Sequence, residues 1–182
     1  MADPTIEKML SDNPLFLFSL YSQIQLQSLR LVREELRDLK PVEASNGTWN
    51  GGNFERYYSF FWLWVLGAYE CLRTMDQHRV CFSPRVQMKV TELKKKVAIL
   101  RMPFAKQELQ GEKTTGRKAK PTGFYAESSV IGVRNGYVFE VAGQEIESEV
   151  LMDDVLGFLT SIDRKDILQE MPVTRPGDFG NP

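Results

Sequence analysis

The run YYSFFWLWVL, residues 57–66, constrains this chain more than any other feature. Apart from Ser59 it leaves no polar face, whether it is read with a period of 2 or of 3.6. It lies in a segment read as a helix from residue 53 or 54 to about residue 78. A helix that is apolar nearly all round belongs at the centre of a bundle. Gly67 and Ala68 follow it and allow a neighbouring helix to come close. Phe61, Trp62, Val65, Tyr69 and Leu72 are the expected core of this element. Arg56 and Glu70 bracket the run, which keeps it short of the ~18–20 apolar residues that cross a membrane.

Two further long helices are predicted around it. The first covers about 14–39, with Asn13 as N-cap and Pro14 at the first helical position. Its buried stripe is read as Leu15, Phe18, Tyr21, Ile24, Leu26, Leu29, Val32 and Leu36, and Pro41 stops it. The other covers about 84–102, capped by Ser83, with Val86, Val90, Leu93, Val97 and Leu100 inward. Pro103 is expected to kink or end it near Arg101–Met102.

Beyond it, residues 107–123 are nearly devoid of apolar side chains and read as a mobile basic loop. The period then changes. In SVIGVR-NG-YVFEV, Asn135-Gly136 separates two β-rich runs, a strong hairpin signal. A second turn at Ala142-Gly143 brings back QEIES as a third strand. Residues 149–162 predict a short amphipathic helix with Val150, Leu151, Val155, Leu156 and Leu159 inward. The expected fold is mainly α: a bundle of three long helices over 1–106, then the 107–123 loop. A β-hairpin or meander, a short C-terminal helix and a tail over 124–182 are packed with the bundle as one domain.

At 182 residues the chain is long enough to bury a real core. Cys71 and Cys81 are too few for a disulfide framework, and the start MADPTIEKML lacks a signal-peptide pattern. A reducing, cytoplasmic setting without membrane insertion is therefore expected. The net charge of −1 conceals a strong segregation. Residues 1–72 carry 6 basic against 9 acidic residues, 73–122 carry 13 against 4, and 123–182 carry 4 against 11. A middle of net +9 between acidic ends implies either an anionic partner or pairing of the charges within or between subunits.

Chemistry-bearing residues concentrate in GAYECLRTMDQHRVC, residues 67–81, which contains the only histidine, His78. Glu70 and Arg73 are helical neighbours three apart and can pair. His78 lies five residues past Arg73, ~140° further round the helix. A structural reading makes Glu70–Arg73 a partly buried ion pair and His78 an exposed residue at the helix end. Cys71, His78 and Cys81 are poorly spaced for one zinc ion, so no metal is expected. The chain has no nucleophile elbow, no P-loop and no dinucleotide fingerprint, and no cofactor is expected.

Arg73-x4-His78, in RTMDQH at the end of a helix, resembles the Arg-x4-6-His motif of HEPN domains. The resemblance covers residues 14–106 at most. It implies an RNA-binding helical bundle, working as a homodimer, of a kind that includes metal-independent ribonucleases of toxin and antiviral systems. On that resemblance His78 is the general acid or base, Arg73 steadies the phosphoryl oxygens and Glu70 holds Arg73. Lys94, Lys95, Lys96, Lys113, Arg117, Lys118 and Lys120 are then the residues expected to attract RNA or another polyanion. The competing expectation is a non-catalytic helical module that dimerises or docks a partner through its hairpin and charged segments.

Overall fold

The computed structural model describes residues 4–41, 53–106, 129–134, 136–141 and 143–172. Trp49, the 107–123 loop and the last residues of the tail lie outside them. In chain order come α1 (Pro4–Asp12), a 3-10 turn at Pro14–Leu17, α2 (Leu20–Asp38), α3 (Phe54–Gln77) and α4 (Pro84–Lys106). Strands β1 (Ser129–Val133), β2 (Tyr137–Val141) and β3 (Gln144–Glu147) follow, then α5 (Ser148–Thr160) and a 3-10 turn at Arg164–Asp166. The mainly helical architecture, with a small antiparallel sheet and a C-terminal helix, is the one the sequence predicts.

α3 packs between α2 and α4. Phe61, Trp64, Val65, Ala68, Cys71 and Leu72 have no exposed surface, as a central helix requires. A Cβ at Gly67 would sit 3.4 Å from Leu29 Cδ2, so this glycine brings α2 and α3 together as expected. The sheet runs β1-β2-β3, all antiparallel. Gly136 and Gly143 take φ of +119° and +75° at its two turns; their predicted companions Asn135 and Ala142 lie outside the described residues. Tyr137, Phe139 and Val141 of β2 join the helical core, where the Phe139 ring lies 5.0 Å from Phe61 and 5.9 Å from Phe104.

Five local expectations change, one of them at Val150 of α5, expected inward and 50% exposed. The 14–39 helix breaks at Ser19, whose extended backbone (φ −164°, ψ 133°) separates the 3-10 turn from α2. Phe18 is buried there, and its carbonyl accepts the Met171 amide at 2.9 Å. α2 turns Ser22, Gln23, Leu26, Leu29 and Leu36 inward; Tyr21 and Ile24 lie about 80° and 140° round the helix from Leu29, off that stripe, and are exposed. α1 was not expected; the Asn13 side chain joins it to α2 by donating to the Met9 carbonyl and accepting from Gln23, rather than capping. α4 continues through Pro103 because its last turn buries Phe104 against Tyr58, Phe61 and Phe139, which outweighs the missing hydrogen bond. Trp62 is 40% exposed, and Tyr69, two turns further along the same face of α3, is partly covered by Arg101 of α4, whose guanidinium lies 4.9 Å from its ring.

Candidate functional site

The last turns of α3 bring Glu70 and Arg73 together. Arg73 Nε donates to Glu70 Oε2 at 2.7 Å, with the two side chains 41% and 45% exposed. This is a solvated pair, not the partly buried one expected, and such pairs contribute about 0–1 kcal/mol. His78 ends the helix; its amide donates to the Thr74 carbonyl at 3.1 Å, and its ring lies 6.3 Å from that of Phe18. The interactions of Arg73 and His78 thus lead in different directions, one to Glu70 and the other to α2's preceding turn.

The basic residues of α4 are largely engaged by carboxylates of the same chain. Lys94 pairs with Asp76 on α3, where the Thr91 hydroxyl also donates at 3.2 Å. The Lys94 ammonium, against the opposing effect of burial, holds the Asp76 carboxyl below its ordinary range. Lys96 lies 3.2 Å from Asp154 on α5 and 3.4 Å from Glu92; the Asp154 hydrogen bond leads in raising its pKa. Arg85 pairs with Asp166, and Arg134 pairs with Glu145 and Glu147 at 2.8 Å each. Lys95 is exposed. Lys113, Arg117, Lys118 and Lys120 lie outside the described residues. Much of the charge segregation is therefore pairing inside one molecule.

A second polar cluster has no motif in the sequence. Glu149, in the first turn of α5, has no exposed surface. Its Oε2 meets Arg33 at 2.6 Å and Lys40 at 2.5 Å, and Oε1 accepts the Tyr57 hydroxyl at 3.0 Å. The Tyr57 oxygen is also 2.7 Å from Ser148 Oγ. Burial, above all, pushes the Tyr57 phenol far above its ordinary range, so the hydroxyl stays protonated and can donate. Tyr57, Ser148 and Glu149 are sealed, and only the flanks of Arg33 and Lys40 reach solvent. The arrangement suits holding α2 and its end, α3 and α5 together, not meeting a substrate. Its members stand at positions 33, 40, 57, 148 and 149, with no spacing to find them by; only the acidic residue opening α5 was a usable signal.

Burial raises the Cys71 thiol to about 12, which leaves it unreactive. Among the described residues no group of three or more His, Cys, Asp or Glu side chains could hold a metal ion, and no helix is long and apolar enough to cross a membrane. A groove of about 720 Å³ runs between α4 and α5, with Arg85, Lys89 and Glu92 on one wall and Asp153 and Asp154 on the other. The outward faces of α2 and α3 are different in character: Leu20, Ile24 and Leu31 point away from the Leu29 side that meets Gly67 of α3, and Trp62 shares the α3 face on which Arg101 of α4 covers Tyr69. Leu20, Tyr21, Ile24 and Leu31 on α2, with Trp62 and Leu63 on α3, expose 40–75% of their surface. In comparisons with known proteins the chain matches no family model and has no significant match among curated proteins or solved structures.

Proposed function

We propose that this chain is a non-catalytic helical interaction module that docks a protein through the outward face of α2. Leu20, Ile24 and Leu31, exposed by 49–69% and within about 40° of one another round the helix, carry the proposal. Single exposed apolar residues are ordinary, but a grouped set on one helix face marks a surface that a partner covers. The hairpin, offered by the sequence as a docking element, uses Tyr137, Phe139 and Val141 in the core, so the docking side is assigned to the helices. The carboxylates paired with Lys94, Lys96 and Arg85 weaken the case for α4 as a polyanion surface.

A second reading, RNA binding or metal-independent RNA cleavage by a HEPN-like dimer, draws on the net +9 of residues 73–122 and on exposed Arg73 and Lys95. It predicts binding that weakens steeply between low and physiological salt. The two separate in one assay. Labelled single-stranded and hairpin RNAs are incubated with excess protein and a chelator, beside the His78→Ala and Arg73→Ala variants. The interaction-module reading expects no cleavage above buffer from any of the three. Cleavage by the wild type that disappears in both variants, with melting temperatures unchanged, replaces it by the ribonuclease reading.

A further inference from the structure

Resting on the interaction-module reading, we infer that the partner seated on the outward face of α2 is an amphipathic helix. Its apolar stripe ends in a cluster of lysines or arginines.

Helical phase separates the charges of α2. Leu20, Ile24 and Leu31 share its outward face with exposed Gln27, and Leu29 points the opposite way. Continued towards the C-terminus, the same face carries Glu34, Glu35 and Asp38, which lie within about 60° of its centre at 100° per residue. All three carboxylates are exposed. Arg30, Arg33 and Arg37 lie about 100–160° from that centre. Arg33, with Lys40 just past the helix, answers the buried Glu149, and Arg30 donates to Thr160 Oγ1 at 2.9 Å. The outward face is therefore apolar over about its first three turns and anionic at its C-terminal end.

Charge complementarity selects the occupant. The last carbonyls of α2 add negative partial charge to the three carboxylates, so that end favours cations. Glu34 meets Arg37 at 2.6 Å and Glu35 meets Arg56 at 4.0 Å. These four side chains are 60–63% exposed, so both pairs are weak and exchange readily for a better-placed cation. Asp38 is exposed and pairs with no cation among the described residues. A helix with apolar residues three and four apart covers Leu20, Ile24 and Leu31, and basic residues at its end reach the carboxylates. A second α2 does not supply them. Antiparallel, it brings residues 20–29, which contain no lysine or arginine, to the acidic end; parallel, it brings the same three carboxylates. An anionic membrane or nucleic acid is repelled by that end.

A phage-displayed library of helical peptides, randomised along one face, is panned on the full chain to test this. Enriched peptides are synthesised and titrated by fluorescence anisotropy against wild type, Leu20→Lys/Leu31→Lys and Glu34→Lys/Glu35→Lys/Asp38→Lys. All five sites are exposed, so both variants should keep nearly the wild-type melting temperature. The expected peptides carry lysine or arginine at one end of an apolar stripe and lose binding to Leu20→Lys/Leu31→Lys. They should bind the charge-reversed variant about tenfold more weakly, and exchanging their basic residues for glutamate should restore that affinity. Peptides that need Leu20 and Leu31 but are neutral or acidic, or that ignore the charge reversal, overturn the basic-helix inference and leave the docking face standing. A wild-type mass of twice 20.9 kDa that Leu20→Lys/Leu31→Lys abolishes also overturns it, in favour of a second copy. No enrichment, or peptides indifferent to Leu20→Lys/Leu31→Lys, overturns the docking reading itself, so the two failures are distinguishable.

Discussion

Glu149 takes two cations and a phenol hydroxyl in a place that water does not reach: Arg33 from α2, Lys40 from just past its end and Tyr57 from α3. A buried carboxylate is tolerable only when opposite charge answers it, as Arg33 and Lys40 do at Oε2, while Oε1 accepts the Tyr57 hydroxyl. Glu149→Gln would leave the Arg33 and Lys40 charges facing a neutral amide, and we expect a loss of about 3–5 kcal/mol in urea unfolding. A loss below 1 kcal/mol would mean the cluster adds no net stability. Gly136 belongs to the same contact. A Cβ there would lie 2.5 Å from Glu149 Cγ and 2.8 Å from Ser148 Oγ, on a backbone at φ +119°. Gly136→Ala combines left-handed strain with a clash against a pinned side chain, so a cost of about 2–3 kcal/mol is expected in the same experiment. Arg73→Ala removes only a solvated pair and is expected to stay within about 0.5 kcal/mol of wild type.

The closing 3-10 turn shows how one element is anchored to another. Asp166 receives Ser83 Oγ at 2.7 Å, the guanidinium of Arg85 and the Asp163 amide at 3.0 Å, while its own carbonyl takes the Ser83 amide at 2.8 Å. Burial works to raise its carboxyl, but these hydrogen bonds prevail and hold it at about 2, against an ordinary 3.8. Since the folded form binds its proton less readily, the contribution is complete above about pH 4 and disappears as pH falls towards 2. Arg85 is half exposed, so the contribution is on the order of 1–2 kcal/mol after solvent screening. Asp166→Asn should flatten this part of the acid unfolding profile while costing stability at neutral pH. An unchanged profile between pH 4 and 2 would remove Asp166 from the account.

Elements were legible where one period dominated. The stripe Val86, Val90, Leu93, Val97 and Leu100 is buried throughout, and the hairpin turns at Gly136. Legibility failed where tertiary contacts override local rules, as at Ser19, where an extended residue separates the 3-10 turn from α2, and at Pro103, where aromatic burial carries the helix onward. The Glu70–Arg73 pair followed from spacing alone. The Glu149 cluster could not, because its residues meet only once the hairpin and α5 have folded back onto α2 and α3.

Taken whole, the molecule pairs charges where α4 meets α3, α5 and the closing turn, and leaves apolar side chains exposed on the outward face of α2. That division is what an association module needs: a self-sufficient fold and one side left to be covered. Ile24 reports on that face directly, since it is 49% exposed, and Met88 on α4, at 71%, is a control on another face. A photo-crosslinking residue placed at position 24 should form a protein adduct in cell extract that is lost in a Leu20→Lys/Leu31→Lys variant, and one placed at position 88 should form none. The absence of an adduct from position 24, or equal adducts from the two positions, would contradict the assignment of α2 as the working surface.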